Sequence, residues 1–160
     1  MTQSVALIEV TVTHGQLCVF DHAMRFPFNE WRTEDTAQGF AWRAGSVSFR
    51  TILDGGPTEV DVKVVTEPAI QGNAARAILV PFSVPASGEV EVGTVSGDSS
   101  VFRVEPGEGG LLYEHGTLGD EKMWCRLTFI PGLLTEPKLL RADERLHPRF
   151  PLRMDAKAAV

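Results

Sequence analysis

The sequence predicts an all-β protein, an antiparallel β-sandwich, on three observations. Apolar residues recur at every second position along most of the chain, which places them on one face of extended strands. Turn-forming clusters interrupt these runs at short intervals: HG at 14–15, DGGP at 54–57, QGN at 71–73, ASG at 86–88, SGD at 96–98 and PGEGG at 106–110. Helical periodicity is confined to two short stretches.

The elements follow in order. MTQSVALIEVTVTHG has no basic n-region, and Val5, Leu7, Val10 and Val12 are interleaved with polar residues, so it reads as a strand rather than a signal peptide. Leu17 and Val19 begin a second strand. In WRTEDTAQG, Thr33 can cap, Glu34 and Asp35 sit at the positive end of a helix dipole, and Gly39 can close the turn, which predicts one short helical turn near 33–39.

Strands resume with Val47 and Phe49, then Val60, Val62 and Val64, then ARAILVPFSV, EVEVGTV, SVFRVEP and WCRLTFIP. After Pro137, KLLRADERL places Leu139, Ala142 and Leu146 on one face and suggests a second short helix near 138–146. Strand alternation stops at Pro131. Residues 1–131 are therefore expected to form the β-sandwich domain, and 132–160 a C-terminal extension that packs on it or reaches a partner, with DAKAAV frayed at its end.

With 160 residues, one core is large enough to stand without a metal or a disulfide. Cys18 and Cys125 lie in apolar strand patterns, QLCVF and MWCRLTF, and are expected to be buried thiols; their spacing cannot build a zinc site. No run approaches the roughly 18 apolar residues of a membrane helix, and the expected location is cytoplasmic.

The net charge of −6 argues against direct nucleic-acid binding, because phosphate neutralisation supplies most of the affinity of such proteins. It is unevenly spread. Residues 1–130 hold 17 acidic and 9 basic side chains, whereas 131–160 hold 4 and 6.

Nothing in the chain assembles a reaction centre. His14, His22, His115 and His147 are scattered, with no HxH, HExxH or CxxC spacing and no GxSxG, P-loop or dinucleotide glycine pattern, so no catalytic residue, metal ligand or cofactor is assigned. Glu89 and Glu91 alternate with Val90 and Val92 and should form a solvated strand face. Trp31 and Trp42 stand out as aromatic groups near the acids Glu30, Glu34 and Asp35, and such pairs serve either as packing or as interface anchors.

Several of these residues also form a recognisable series. VTVTHGQLCVF, Trp31 with Glu34, GFA at Gly39–Ala41, GSVSF at Gly45–Phe49 and VPF at Val80–Phe82 occur in the order that resembles the competence protein J family, with the Tyr113 strand and Trp124–Pro131 where that family has its closing strands. The resemblance spans about residues 8–131. It implies a non-enzymatic inhibitor, or immunity-type protein, that binds and neutralises a cognate DNA nuclease. An acidic protein suits that role, since a nuclease presents a basic groove to DNA.

On this reading Glu30, Trp31, Glu34, Asp35 and Trp42 frame one candidate partner surface. Asp120 and Glu121, with Asp98, Glu105 and Glu108, are expected at the opposite end as a rival. The alternatives are a ligand- or carbohydrate-binding β-sandwich using its tryptophans, and a hydrolase built on His22 or His115.

Overall fold

The computed structural model describes residues 2–160. Eleven strands form two sheets packed face to face, as alternating apolar positions require. The first sheet has the order β1 (Thr2–Val12), β5 (Gly56–Val65), β10 (Lys122–Pro131), β9 (Gly107–Leu118), β6 (Arg76–Val84), β11 (Lys138–Arg141). The second has β3 (Phe40–Arg43), β4 (Ser46–Arg50), β2 (Gln16–Asp21), β7 (Glu89–Gly93), β8 (Ser99–Arg103). Neighbours are antiparallel except β5 and β10, which run parallel, with Cys125 opposite Val60.

The core lies between the sheets. Leu17, Val19, Val47 and Phe49 from one face meet Val60, Val62, Leu111, Tyr113, Leu127 and Phe129 from the other. The Phe49 and Tyr113 rings stack at 4.2 Å across this space. Outside the first sheet, Ala77, Leu79, Leu112 and Ile130 form a second cluster covered by Ile70 and Leu133.

Sequence periodicity assigned Leu7 to the inner face of β1, and the structure corrects this. Ala6, Ile8 and Val10 pair with Val62, Val60 and Thr58, so even positions point inward and Leu7 is 78% exposed. An irregularity between Ser4 and Ala6 lets Val5 pack inward as well.

Both cysteines are free and buried, Cys125 in the core and Cys18 with its sulfur 3.2 Å from Ser48 Oγ. Burial pushes the Cys18 thiol up to about 12 and Cys125 well above its usual range. Neither thiol should react with an aromatic disulfide reagent at pH 8 until denaturant unfolds the chain, when two equivalents should appear in one transition. Reaction of either in the native state would contradict their burial.

The short helix α1 spans Thr33–Gln38 and ends on Gly39, whose φ of 90° strains any side chain and where a Cβ would also press on Leu146 at 3.1 Å. Its cap differs from the sequence expectation. Arg32 occupies the cap position, and Asp35 reaches back to accept the Arg32 backbone N–H at 2.9 Å, so Thr33 is the first helical residue.

The helix expected near 138–146 does not form. Lys138–Arg141 instead adds to the open edge of β6 as β11, with Leu139 opposite Ile78, and the chain then turns at Asp143. Nine residues make a marginal helix, whereas the β6 edge offers unpaired backbone groups that a strand satisfies. Beyond the turn the chain stays attached. Gln38 binds both backbone groups of Arg153, Ala156 N–H donates to Trp42 O, and Ala159 N–H to Phe28 O. DAKAAV is therefore held, not frayed.

Candidate functional site

One end of the sandwich collects most of the residues singled out in the sequence. Val12 pairs with Gly56, Gln16 with Arg50, and Met123 with Thr58, so the 13–16 turn, the 51–56 loop and the 118–122 hairpin share that end. A Cβ on Gly56 would stand 2.7 Å from Glu121 O, and Asp98 accepts the Thr11 backbone N–H at 2.6 Å. Trp31 joins them by donating its indole N–H to Gln16 Oε1 at 3.2 Å.

This corrects the expected arrangement of ends. Asp98, Asp120 and Glu121 lie at the Trp31 end, and only Glu105 and Glu108 lie at the other, where β6 ends and β9 begins. For Asp120 and Glu121 the cause is the parallel β5–β10 pairing, which brings the hairpin before β10 beside the loop before β5; Asp98 arrives through β7, whose Gly93 pairs with Cys18 near the start of β2. Asp54, in the DGGP turn, is exposed on the same end.

The segment leading to Trp31 crosses the outer face of the second sheet. Asn29 is buried there, its amide donating to Ala41 O, Ser46 Oγ and Ser48 Oγ, while Glu30 N–H donates to Lys157 O. These bonds explain why two serines on an outer face are buried.

The acids of α1 are paired within the chain. Asp35 is fully buried and receives the Arg32 guanidinium at 2.9 and 3.0 Å. Arg32 also bonds Asp155 at 2.8 Å; Asp155 holds Arg153, and Arg153 stands 3.7 Å from Glu34. The hydrogen bonds from Arg153 and Arg32 hold the Asp155 carboxyl well below the usual carboxylate range. Asp35 thus faces Arg32, Glu34 is partly neutralised, and Glu30, Asp54, Asp98, Asp120 and Glu121 remain exposed.

Trp42 occupies a different place. Its indole N–H donates to Pro81 O at 2.8 Å, and the half-buried ring closes the open side between β3 and β6. Trp31 and Trp42 line separate cavities and form no common platform of the kind that sugar rings stack on.

Beside Trp31 lies a cavity of about 290 Å³ bounded by His14, Gln16, Arg50, Asp54 and Arg145, among others. The two arginines are tied to backbone carbonyls. Arg50 Nη1 bonds Thr36 O at 3.2 Å and Arg145 O at 3.1 Å, and Arg145 bonds Ile52 O. Sequence reasoning missed this feature, because Arg50 and Arg145 are 95 positions apart.

Among the described residues, the side-chain hydrogen bonds of His115 and His22 go to backbone groups and to a carboxylate, not to a hydroxyl or thiol. His115 is fully buried; its Nδ1 lies 2.9 Å from Trp124 O and its Nε2 accepts Ile52 N–H at 3.0 Å. Both ring nitrogens are therefore engaged by backbone. His22 bonds Glu91 at 2.8 Å on the outer face of β7; Glu89 and Glu91 do point away from the core, but they are half-buried and paired, Glu91 with His22 and Glu89 with Arg103, rather than freely solvated. Among the described residues no group of three or more His, Cys, Asp or Glu side chains could hold a metal ion.

A profile of the competence protein J (ComJ) family matches residues 9–130, well over half of the chain. The chain belongs to this family. Two solved structures share its fold. Bacillus subtilis ComJ, described as an inhibitor of the DNA-degrading activity of NucA, superposes with a TM-score of 0.71 at 16% identity, covering 82% of this chain and 98% of that one. The second, described as crocagin biosynthetic gene J, gives a TM-score of 0.59 at 19% identity and covers 82% and 99%. No curated protein matches the chain by sequence. The ComJ match ends within β10, so β11, Asp143, Arg145 and Arg153 lie beyond it.

Proposed function

We propose that this ComJ-family protein is a non-enzymatic inhibitor that binds a cognate DNA nuclease and occupies its DNA groove. Family membership carries the reading, supported by the inhibitor role described for B. subtilis ComJ. The contact face is the Trp31 end, where Asp54, Asp98, Asp120 and Glu121 are exposed around an aromatic group whose indole is fixed by Gln16. Carboxylates spaced over such a face meet the cations a nuclease arrays for phosphate, and they accelerate encounter as well as exclude the substrate.

Within this face the residues divide by availability. Asp120 and Glu121, at a hairpin tip, contact the partner; Glu30 and Trp31 flank it. Asp35, with Glu34, supports the surface through Arg32 and Arg153, whereas Trp42 lies apart from this face, between β3 and the Pro81 segment of β6.

Titration into a NucA-type nuclease from the same genome should abolish DNA cleavage at stoichiometric inhibitor. Full cleavage at saturating inhibitor would refute the proposal. Lysines at both Asp120 and Glu121 should weaken inhibition by about tenfold or more, mainly through slower association, and added salt should shrink the difference. The same reversal at Glu34 alone should have a smaller effect, since Arg153 already offsets that charge.

A further inference from the structure

The cavity beside Trp31 is cationic at the centre of an acidic end. Arg50 and Arg145 both border it, and among the described residues neither has a carboxylate within ion-pair distance. Each uses only Nη1 in its carbonyl bonds, which leaves the Nε–H and Nη2 donors of both forks unmatched. Asp54 is the one acid in the lining, and Trp31, fixed by Gln16, forms a wall.

We propose that this cavity is a receptor for a single oxyanion, a phosphate or carboxylate group, held between the guanidinium groups of Arg50 and Arg145. Planar forks match the two oxygens of such a group, and charge-assisted bonds of this kind are the strong ones. Burial, then the positive charges of Arg76 and Arg145, lowers the Arg50 pKa against the opposing pull of Asp143 and Asp54; a bound anion relieves the repulsion among the cations. The exposed acids around the end repel an extended polyanion, which limits the ligand to one small group or one projecting side chain. Arg145 lies beyond the residues that match the ComJ family, so the extension completes the receptor.

The site is independent of nuclease inhibition and can be tested on the isolated protein. The Trp31 indole N–H and the Gly15 amide are followed by two-dimensional NMR during titration with inorganic phosphate, then acetate, against chloride at equal ionic strength. Saturable shifts are expected with phosphate, acetate or both, and at least tenfold weaker binding in Arg145→Ala. Arg145→Lys should retain part of the affinity, and Arg149→Ala, exposed and outside the cavity, should match the wild type. Tighter phosphate binding assigns the site to a phosphorylated small molecule; equal or tighter acetate binding assigns it to an acidic side chain of a protein partner. Shifts no larger than those with chloride, or shifts unchanged in a folded Arg145→Ala variant, overturn the proposal.

Discussion

Arg76→Ala is expected to cost about 3–5 kcal/mol of folding stability, the range for breaking a buried ion pair. Arg76 is completely buried, and its guanidinium grips both oxygens of Asp143, Nε–Oδ1 at 2.7 Å and Nη2–Oδ2 at 3.0 Å. Its remaining Nη1 donates to Arg50 O at 2.6 Å. Burial alone would raise the Asp143 carboxyl, but its bonds to Arg76 and the Arg76 charge outweigh this and hold it below the usual range. The pair also anchors the chain beyond Pro131, because β6 carries Arg76 and the turn after β11 carries Asp143.

Urea titrations should therefore show a lower midpoint for Arg76→Ala, and protease should cut beyond Lys138 at concentrations the wild type resists. Asp143→Asn should be destabilising too, by leaving a buried cation without its counter-charge. The double change Arg76→Met with Asp143→Leu should recover part of the loss, as neither charge is then left unpaired. A midpoint unaffected by Arg76→Ala would mean that the ion pair does not form in solution.

Acid should destabilise the protein through His115. Burial is the largest cause of its lowered pKa, about 4 against an ordinary 6.5; the bond to Trp124 O opposes the shift and the Arg76 charge adds to it. A folded pKa below the unfolded one means that the unfolded state binds the proton first. The stabilisation is present above pH 6.5 and is lost as pH falls toward 4, by roughly 3 kcal/mol at 1.36 kcal/mol per unit.

Two other groups act with the opposite sign. Burial raises Glu114, whose Oε1 has no partner among the described residues, so its protonation favours the fold as pH falls through its folded value. The hydrogen bond that His22 donates to Glu91 raises its pKa, so it gains its proton in the fold before pH reaches the ordinary 6.5. Comparison with His115→Gln isolates the one residue. The wild type should lose more stability than this variant between pH 6.5 and 4, and parallel curves would show that His115 is not held neutral in the fold.

How far these features could be read in advance depends on how far apart their parts lie. Val60, Val62 and Val64, or Met123, Cys125, Leu127 and Phe129, announce an inner strand face within seven residues, and all of them pack inward. Gly39 announces the end of α1 for the same local reason. Leu7 shows the limit of such reasoning. Its segment is apolar at both odd and even positions, and only register against β5 selects Ile8 for the core. Residues 138–146 show another limit, because helical spacing there lost to an open strand edge contributed by β6.

The candidate site was legible in part. Trp31 drew attention as an aromatic residue among acids, and Asp120 and Glu121 as acids expected at the opposite end. Their presence at a single end follows from β5 and β10 running parallel, a pairing between segments more than 60 positions apart. The neutralisation of Asp35 and Glu34 by Arg32 and Arg153 was equally hidden, since Arg153 arrives from the far end of the chain.

The sequence by itself determined that the molecule is a β-sandwich with buried thiols, and it carried the family resemblance, because these follow from residue order within short windows. The tertiary structure alone decided which loops share an end, which acids stay unpaired, and that Arg50 meets Arg145. Those outcomes depend on strand register and direction, which set distances between residues remote in sequence and leave no trace in local periodicity.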